Sequence, residues 1–131
     1  MNMLYAAMFA HVMWVFFLYG WLTLYRMPAI WGIKFSASFQ QHCKLVEPKI
    51  SANLRNQFEW PLLFYVVCLL AIFSGSTSML FEVSSIVFIL GRIGHSVIQI
   101  YHSSIRLRGI VFCINFIAVL VMWCAFMLQQ F

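Results

Sequence analysis

Long apolar runs along this chain are separated by short polar breaks. Met3–Tyr25 contains no charged residue, Phe58–Phe73 contains only Glu59, and the stretch after Arg108 contains none. A helix rises about 1.5 Å per residue and a bilayer core is about 30 Å thick, so about 20 apolar residues make one span. The pattern therefore predicts four spans, at about 3–25, 51–73, 79–101 and 108–130. Tyr5 and Tyr25 sit where interfacial anchors belong. Pro61 lies inside the second run and predicts a kink or local break. Ser74–Ser78 reads as a tight uncharged turn. The segment 26–50 reads as the only long connection, with Pro28 and Pro48 in it. Within it Trp31, Phe35 and Phe39 recur at four-residue steps, which predicts a short amphipathic piece at the interface. The expected architecture is all-α: one integral membrane domain, an up-down four-helix bundle.

Composition excludes the main alternatives. Of 131 residues, 64% are hydrophobic and 8% charged. Soluble domains average roughly 45–50% and about 25%. The chain has too little polar surface to cover a soluble fold, and it is far too apolar to be disordered. The net charge of +5 would suggest nucleic acid in a soluble protein. Here the cations are few and local: Arg26, Lys34, Lys44, Lys49 and Arg55 lie in or beside one connection, and Arg106 and Arg108 in another. That is the positive-inside pattern, not a nucleic-acid surface. It places both basic connections in the cytoplasm and both termini outside. The first run lacks a basic start and is too long for a signal-peptide core, so it is expected to be retained. The four cysteines form no C-x-x-C pair, which argues against a disulfide framework or a zinc site. Cys43 stands apart from the others, in the polar connection beside His42 and Lys44.

Ionisable groups inside a membrane are costly and point to function. Ser85, Arg92, His95, Gln99, His102 and Arg106 fall on one side of the third helix as a continuous polar stripe. Val83, Leu90, Val97 and Ile105 fall on the other. The second helix adds Asn56 and Glu59, with the small Ala52 one turn earlier. Counted from the intervening turn, Glu59 lies about 21 Å and Arg92 about 20 Å along antiparallel helices. Equal depth predicts a Glu59–Arg92 ion pair. The stripe running on towards the basic side predicts a cleft rich in positive charge, suited to an anionic ligand. Haem is disfavoured because His11 and His95 lie at different depths, about 12 and about 24 Å from the outer ends of their helices. His11 reads as an interior histidine bonded to a neighbour, and Asn115 as an interhelical hydrogen-bond former.

The string Leu54-Arg-Asn-Gln-Phe-Glu-Trp-Pro-Leu-Leu-Phe-Tyr65 resembles the second-helix motif of the MAPEG superfamily, the membrane-associated proteins in eicosanoid and glutathione metabolism. Gly91-Arg-Ile-Gly-His-Ser96, followed by Arg106 and Arg108, is similar to that family's third-helix motif. The resemblance covers all four spans and looks closest to the small bacterial members, which implies a bacterial inner membrane.

The resemblance implies a homotrimer that binds glutathione as co-substrate between subunits near the cytoplasmic side. Asn56 and Glu59 match the family's glutathione-binding pair, Arg55 an arginine beside it in some members, and Arg92 and His95 the R-x-x-H positions. Arg106 or Arg108 matches the arginine proposed to stabilise the thiolate; spacing does not choose between them. Arg26 is the counterpart of a first-helix arginine that helps hold glutathione. Gln99 stands where several family enzymes carry a tyrosine that contacts glutathione. The implied chemistry is attack of the glutathione thiolate on an apolar electrophile or peroxide, with no metal required. The alternative is a non-catalytic lipid-binding scaffold, or an accessory subunit of a larger membrane complex.

Overall fold

The computed structural model describes residues 3–102 and 104–130. Five helices follow one another: α1 (Met3–Ile30), α2 (Ala37–Glu59), α3 (Pro61–Phe73), α4 (Met79–Tyr101) and α5 (Ile105–Gln130). α2 and α3 are separated only by Trp60, so they form one long rod with a local break. Proline supplies no backbone N–H for the ladder, and its ring crowds the preceding turn. The break therefore falls where Pro61 predicts it. Four stretches among the described residues are long and apolar enough to cross a bilayer: Met3–Ile30, Ala37–Phe73, Met79–Tyr101 and Ile105–Gln130.

The connection between the first two spans is much shorter than the sequence suggests. α1 runs on through Pro28 to Ile30, and α2 begins at Ala37 rather than near Ser51. Ser36 caps α2 by accepting a hydrogen bond from the Phe39 N–H. The reason for the extension is tertiary. Cys43, Val46, Ile50 and Leu54 make a buried stripe on α2. Val46, Ile50 and Leu54 pack with Leu18 and Leu22 of α1 and Ile100 of α4. Pro48 lies on the exposed side of α2, where water can take up the carbonyl it leaves unbonded. Cys43 is thus a buried helical residue and not a loop cysteine. Of the expected amphipathic piece, Phe39 is helical, while Trp31 lies in an exposed bend that Gly32 closes with φ +63°. The α2–α3 rod of 37 residues is about 55 Å long. It exceeds the about 30 Å hydrocarbon core, so the α1–α2 hairpin extends beyond one face.

A second apolar cluster fills the opposite end. Leu4 and Ala7 of α1, Phe64, Val67, Cys68 and Ala71 of α3, Phe81, Phe88 and Ile89 of α4, and Ala118, Val119 and Met122 of α5 meet there. Phe64 and Phe88 stack with centroids 4.2 Å apart. Val83, Leu90 and Val97 face outward, as the stripe on α4 requires; Ile105, expected on the same face, instead begins α5, because the helix ends at Tyr101. Lipid is as apolar as these side chains, so their burial gains little; close packing and polar bonds hold such a bundle.

α4 and α5 pack tightly at Gly91. A Cβ there would collide with the Asn115 carboxamide, whose oxygen and nitrogen have no hydrogen-bond partner among the described residues. Asn115 is therefore a packing residue against the Gly91 backbone, not the interhelical hydrogen-bond former expected from the sequence. Gly91→Ala should destabilise the protein by about 1–3 kcal/mol through overpacking. Thermal unfolding in detergent measures this; an unchanged melting temperature would show that the α4–α5 contact accepts a methyl group.

Candidate functional site

Between the two apolar clusters lies a layer of buried polar groups contributed by α1, α2, α3 and α4. Its centre is Arg92, 1% exposed. The guanidinium donates from Nε to Gln57 Oε1 at 3.1 Å and from Nη2 to the Asn56 carbonyl at 2.7 Å. That carbonyl belongs to the last turn of α2, where backbone acceptors have no intrahelical donor and the helix dipole is negative. Pro61 ends α2 at this level. The cation therefore meets α2 at its negative, C-terminal end.

This arrangement replaces the expected ion pair. Glu59 is exposed and makes no salt bridge with Arg92; the ion pair among the described residues joins Arg26 to Glu47 at 2.8 Å. Glu59 and Arg92 do line the same cavity, as their matched depths imply. Gln57 and the end of α2 reach the guanidinium first.

Gln57 is the hub of the layer. Its Oε1 accepts from Arg92 and bonds His11 Nε2 at 3.1 Å, while its Nε2 donates to Asn53 Oδ1 at 3.1 Å and Ser96 Oγ at 3.0 Å. Ser96 also accepts from Trp14 Nε1 and donates to the Arg92 carbonyl. His11 Nδ1 lies 2.8 Å from the Tyr65 hydroxyl. His11 is thus the interior histidine that the sequence implies. Asn53, Gln57, Ser96, Trp14 and Tyr65 were not anticipated. Asn53 and Gln57 stand one turn apart, and that i, i+4 polar pair on an otherwise packed helix face was the available signal.

A cleft of about 540 Å³ opens beside this layer, between α2, α4 and α5. Arg55, Asn56 and Glu59 line it from α2, Arg92, His95 and Gln99 from α4, and Arg108 from α5. Trp60, Phe112 and Ile105 add apolar surface, and Trp60 stacks on Phe116 at 4.8 Å. Three arginines face one carboxylate, so the cleft carries excess positive charge. It adjoins a second cavity of about 330 Å³ that shares Ala52, Gln99, Ile105 and Arg108 and adds Lys49 and His102. His95 is buried, with its Nδ1 unpartnered among the described residues and its ring 6.3 Å from Phe112. Gln99 Oε1 accepts from Asn53 Nδ2 at 3.0 Å and Asn56 Nδ2 at 3.1 Å.

A family model described as the MAPEG family matches residues 4–128. The chain belongs to the MAPEG family. It is an integral membrane protein, and the family is one of glutathione and eicosanoid metabolism. No curated protein and no solved structure matches the chain. In this MAPEG chain, Arg55, Asn56, Glu59, Arg92, His95, Gln99 and Arg108 come together in one cleft. Arg26 and Arg106 do not. Arg26 lines a separate pocket of about 360 Å³ at the α1–α2 hairpin, bonded to Glu47 and Ser51. Arg106 is exposed on the first turn of α5 and lines neither cavity beside the polar layer.

Gln57→Leu should destabilise the protein by about 2–4 kcal/mol, because Arg92, His11 and Asn53 each lose a buried partner. Glu59→Gln should change stability by less than about 0.5 kcal/mol, as for an exposed side chain without an ion pair. Chemical unfolding of both variants in detergent checks the pair; the opposite ranking would restore Glu59 as the counter-charge of Arg92.

Proposed function

We propose that the chain is a homotrimeric glutathione-binding membrane protein, with the ligand held between neighbouring copies near the basic, cytoplasmic face. In this reading it transfers the glutathione thiol to an apolar electrophile or reduces a peroxide. The observation that carries the reading is the convergence of three arginines, a carboxylate, a histidine and two carboxamides on one cleft in a chain of this family. Glutathione is an anionic tripeptide with two carboxylates and one ammonium group. Arginine recognises carboxylates through paired, charge-assisted hydrogen bonds, and Glu59 is suited to the ammonium.

The chemistry follows from charge. A free thiol has a pKa of about 8.5, and a nearby cation favours the thiolate. Arg108 lines the cleft and Arg106 does not, which favours Arg108 as the thiolate stabiliser. The thiolate sulfur forms a bond to an electrophilic carbon, and the leaving group departs with its bonding pair. Trp60 and Phe112 give an apolar wall for a substrate arriving from the bilayer. Arg26, outside the cleft of its own chain, would serve a neighbour's.

The test is glutathione binding to the purified protein in detergent, with thiolate absorbance followed in the ultraviolet. A thiolate signal at neutral pH is expected, lost in Arg108→Ala and kept in Arg106→Ala. Absence of binding at millimolar glutathione, with co-purification of a larger membrane complex, would replace this reading with the accessory-subunit one.

A further inference from the structure

The carboxamides beside the cleft form a chain whose direction is fixed from one end. The oxygen and nitrogen of an asparagine or glutamine amide are told apart only by their partners. Here the first partner has no freedom, because a guanidinium only donates. Arg92 Nε meets Gln57 Oε1, so the Gln57 nitrogen must point the other way, to Asn53 Oδ1 and Ser96 Oγ. Asn53 then accepts with its oxygen and must donate with its nitrogen, which it does to Gln99 Oε1. Asn56 Nδ2 donates to the same Gln99 oxygen. The Gln99 oxygen is thus held by two donors, its NH2 group has no protein acceptor among the described residues, and the residue lines both the cleft and the cavity that adjoins it. Asn53 is 0% exposed and does not line the cleft.

We infer that Asn53 is a positioning residue that makes Gln99 a donor-only contact in the cleft, selecting a ligand that places a carboxylate or peptide carbonyl oxygen there. A hydroxyl at this position would both donate and accept. A carboxamide held in this way can only donate towards the ligand, and it cannot take a proton from a thiol. The identity of the ligand as glutathione rests on the reading above; the donor character of the site does not.

Gln99→Glu separates the two ends of the side chain. A glutamate oxygen accepts from Asn53 and Asn56 as before, while the cleft-facing end changes from donor to carboxylate. Without ligand the variant should melt with the wild type. Calorimetric titration with glutathione should show binding at least about tenfold weaker, the scale of a lost hydrogen bond to a charged group. The ratio should persist in high salt, which screens simple repulsion. Asn53→Asp keeps the acceptor for Gln57 but removes the donor to Gln99. It should turn the Gln99 oxygen to the cleft and weaken binding without altering a cleft residue; should it fail to fold, Gln99→Glu decides alone. Equal affinity of wild type and Gln99→Glu, or a difference that vanishes in high salt, overturns the inference and leaves the glutathione reading intact. If the wild type does not bind glutathione, that reading falls, and the same comparison is made by heat stabilisation with sulfate. Stabilisation lost in Gln99→Glu then supports the donor site; equal stabilisation in both overturns it.

Discussion

A guanidinium buried among membrane helices needs acceptors, and meeting that need organises this protein. Arg92 finds them at the broken end of α2, in the Asn56 carbonyl and the Gln57 side chain. An isolated cation at that depth would cost several kcal/mol. Ending a helix at Pro61 would also leave carbonyls without donors. The two costs meet at one place, where the cation lies against the negative end of α2. The broken rod and the buried charge are therefore one feature of the fold.

The consequences spread outward from that contact. Gln57 can accept from Arg92 only by turning its nitrogen to Asn53 and Ser96, and its oxygen also draws in His11 of α1, which meets Tyr65 of α3. One charge thus ties four helices together in a layer between two apolar clusters. Apolar packing alone gives little preference for one arrangement of helices in lipid. A directional polar layer does, since a rotated or shifted helix would strand its donors. The same layer faces the cleft on one side, so the groups that hold the bundle in register also set what the cleft presents to a ligand.

The MAPEG character of the chain gives that cleft its context. Cations from α2, α4 and α5 converge around a single carboxylate, with aromatic surface from Trp60 and Phe112 alongside. A charged cradle next to an apolar wall suits a reaction between an anionic co-substrate from water and a partner dissolved in the bilayer. Arg108 lines the cleft and Arg106 does not. Residues two positions apart on a helix are about 200° apart around its axis, so only one of such a pair can face the same cavity.

Span number, helical class and the position of the break were legible because each depends on local properties: run length against bilayer thickness, and the missing N–H of Pro61. α4 was legible to the residue, since polar turns bound it on both sides. The part of the polar stripe from Ser85 to Gln99 and the Asn56–Glu59 patch were legible too, because a helix places every third or fourth residue on one face; His102 and Arg106 fall off the stripe, since α4 ends at Tyr101 and Arg106 belongs to α5. What the sequence could not decide was partnership. It offered Glu59 as the counter-charge of Arg92 on depth and sign alone, whereas the fold brought a backbone carbonyl and Gln57 closer. It read 26–50 as a loop on its prolines and polarity, whereas packing of Val46, Ile50 and Leu54 against α1 carried the helix back to Ala37. It gave Asn115 a hydrogen bond, whereas its carboxamide packs against Gly91 with no partner among the described residues. The sequence determined which residues share a helix face; only the tertiary structure decided which face each one meets, because contact depends on helix rotation and crossing, which no single helix encodes.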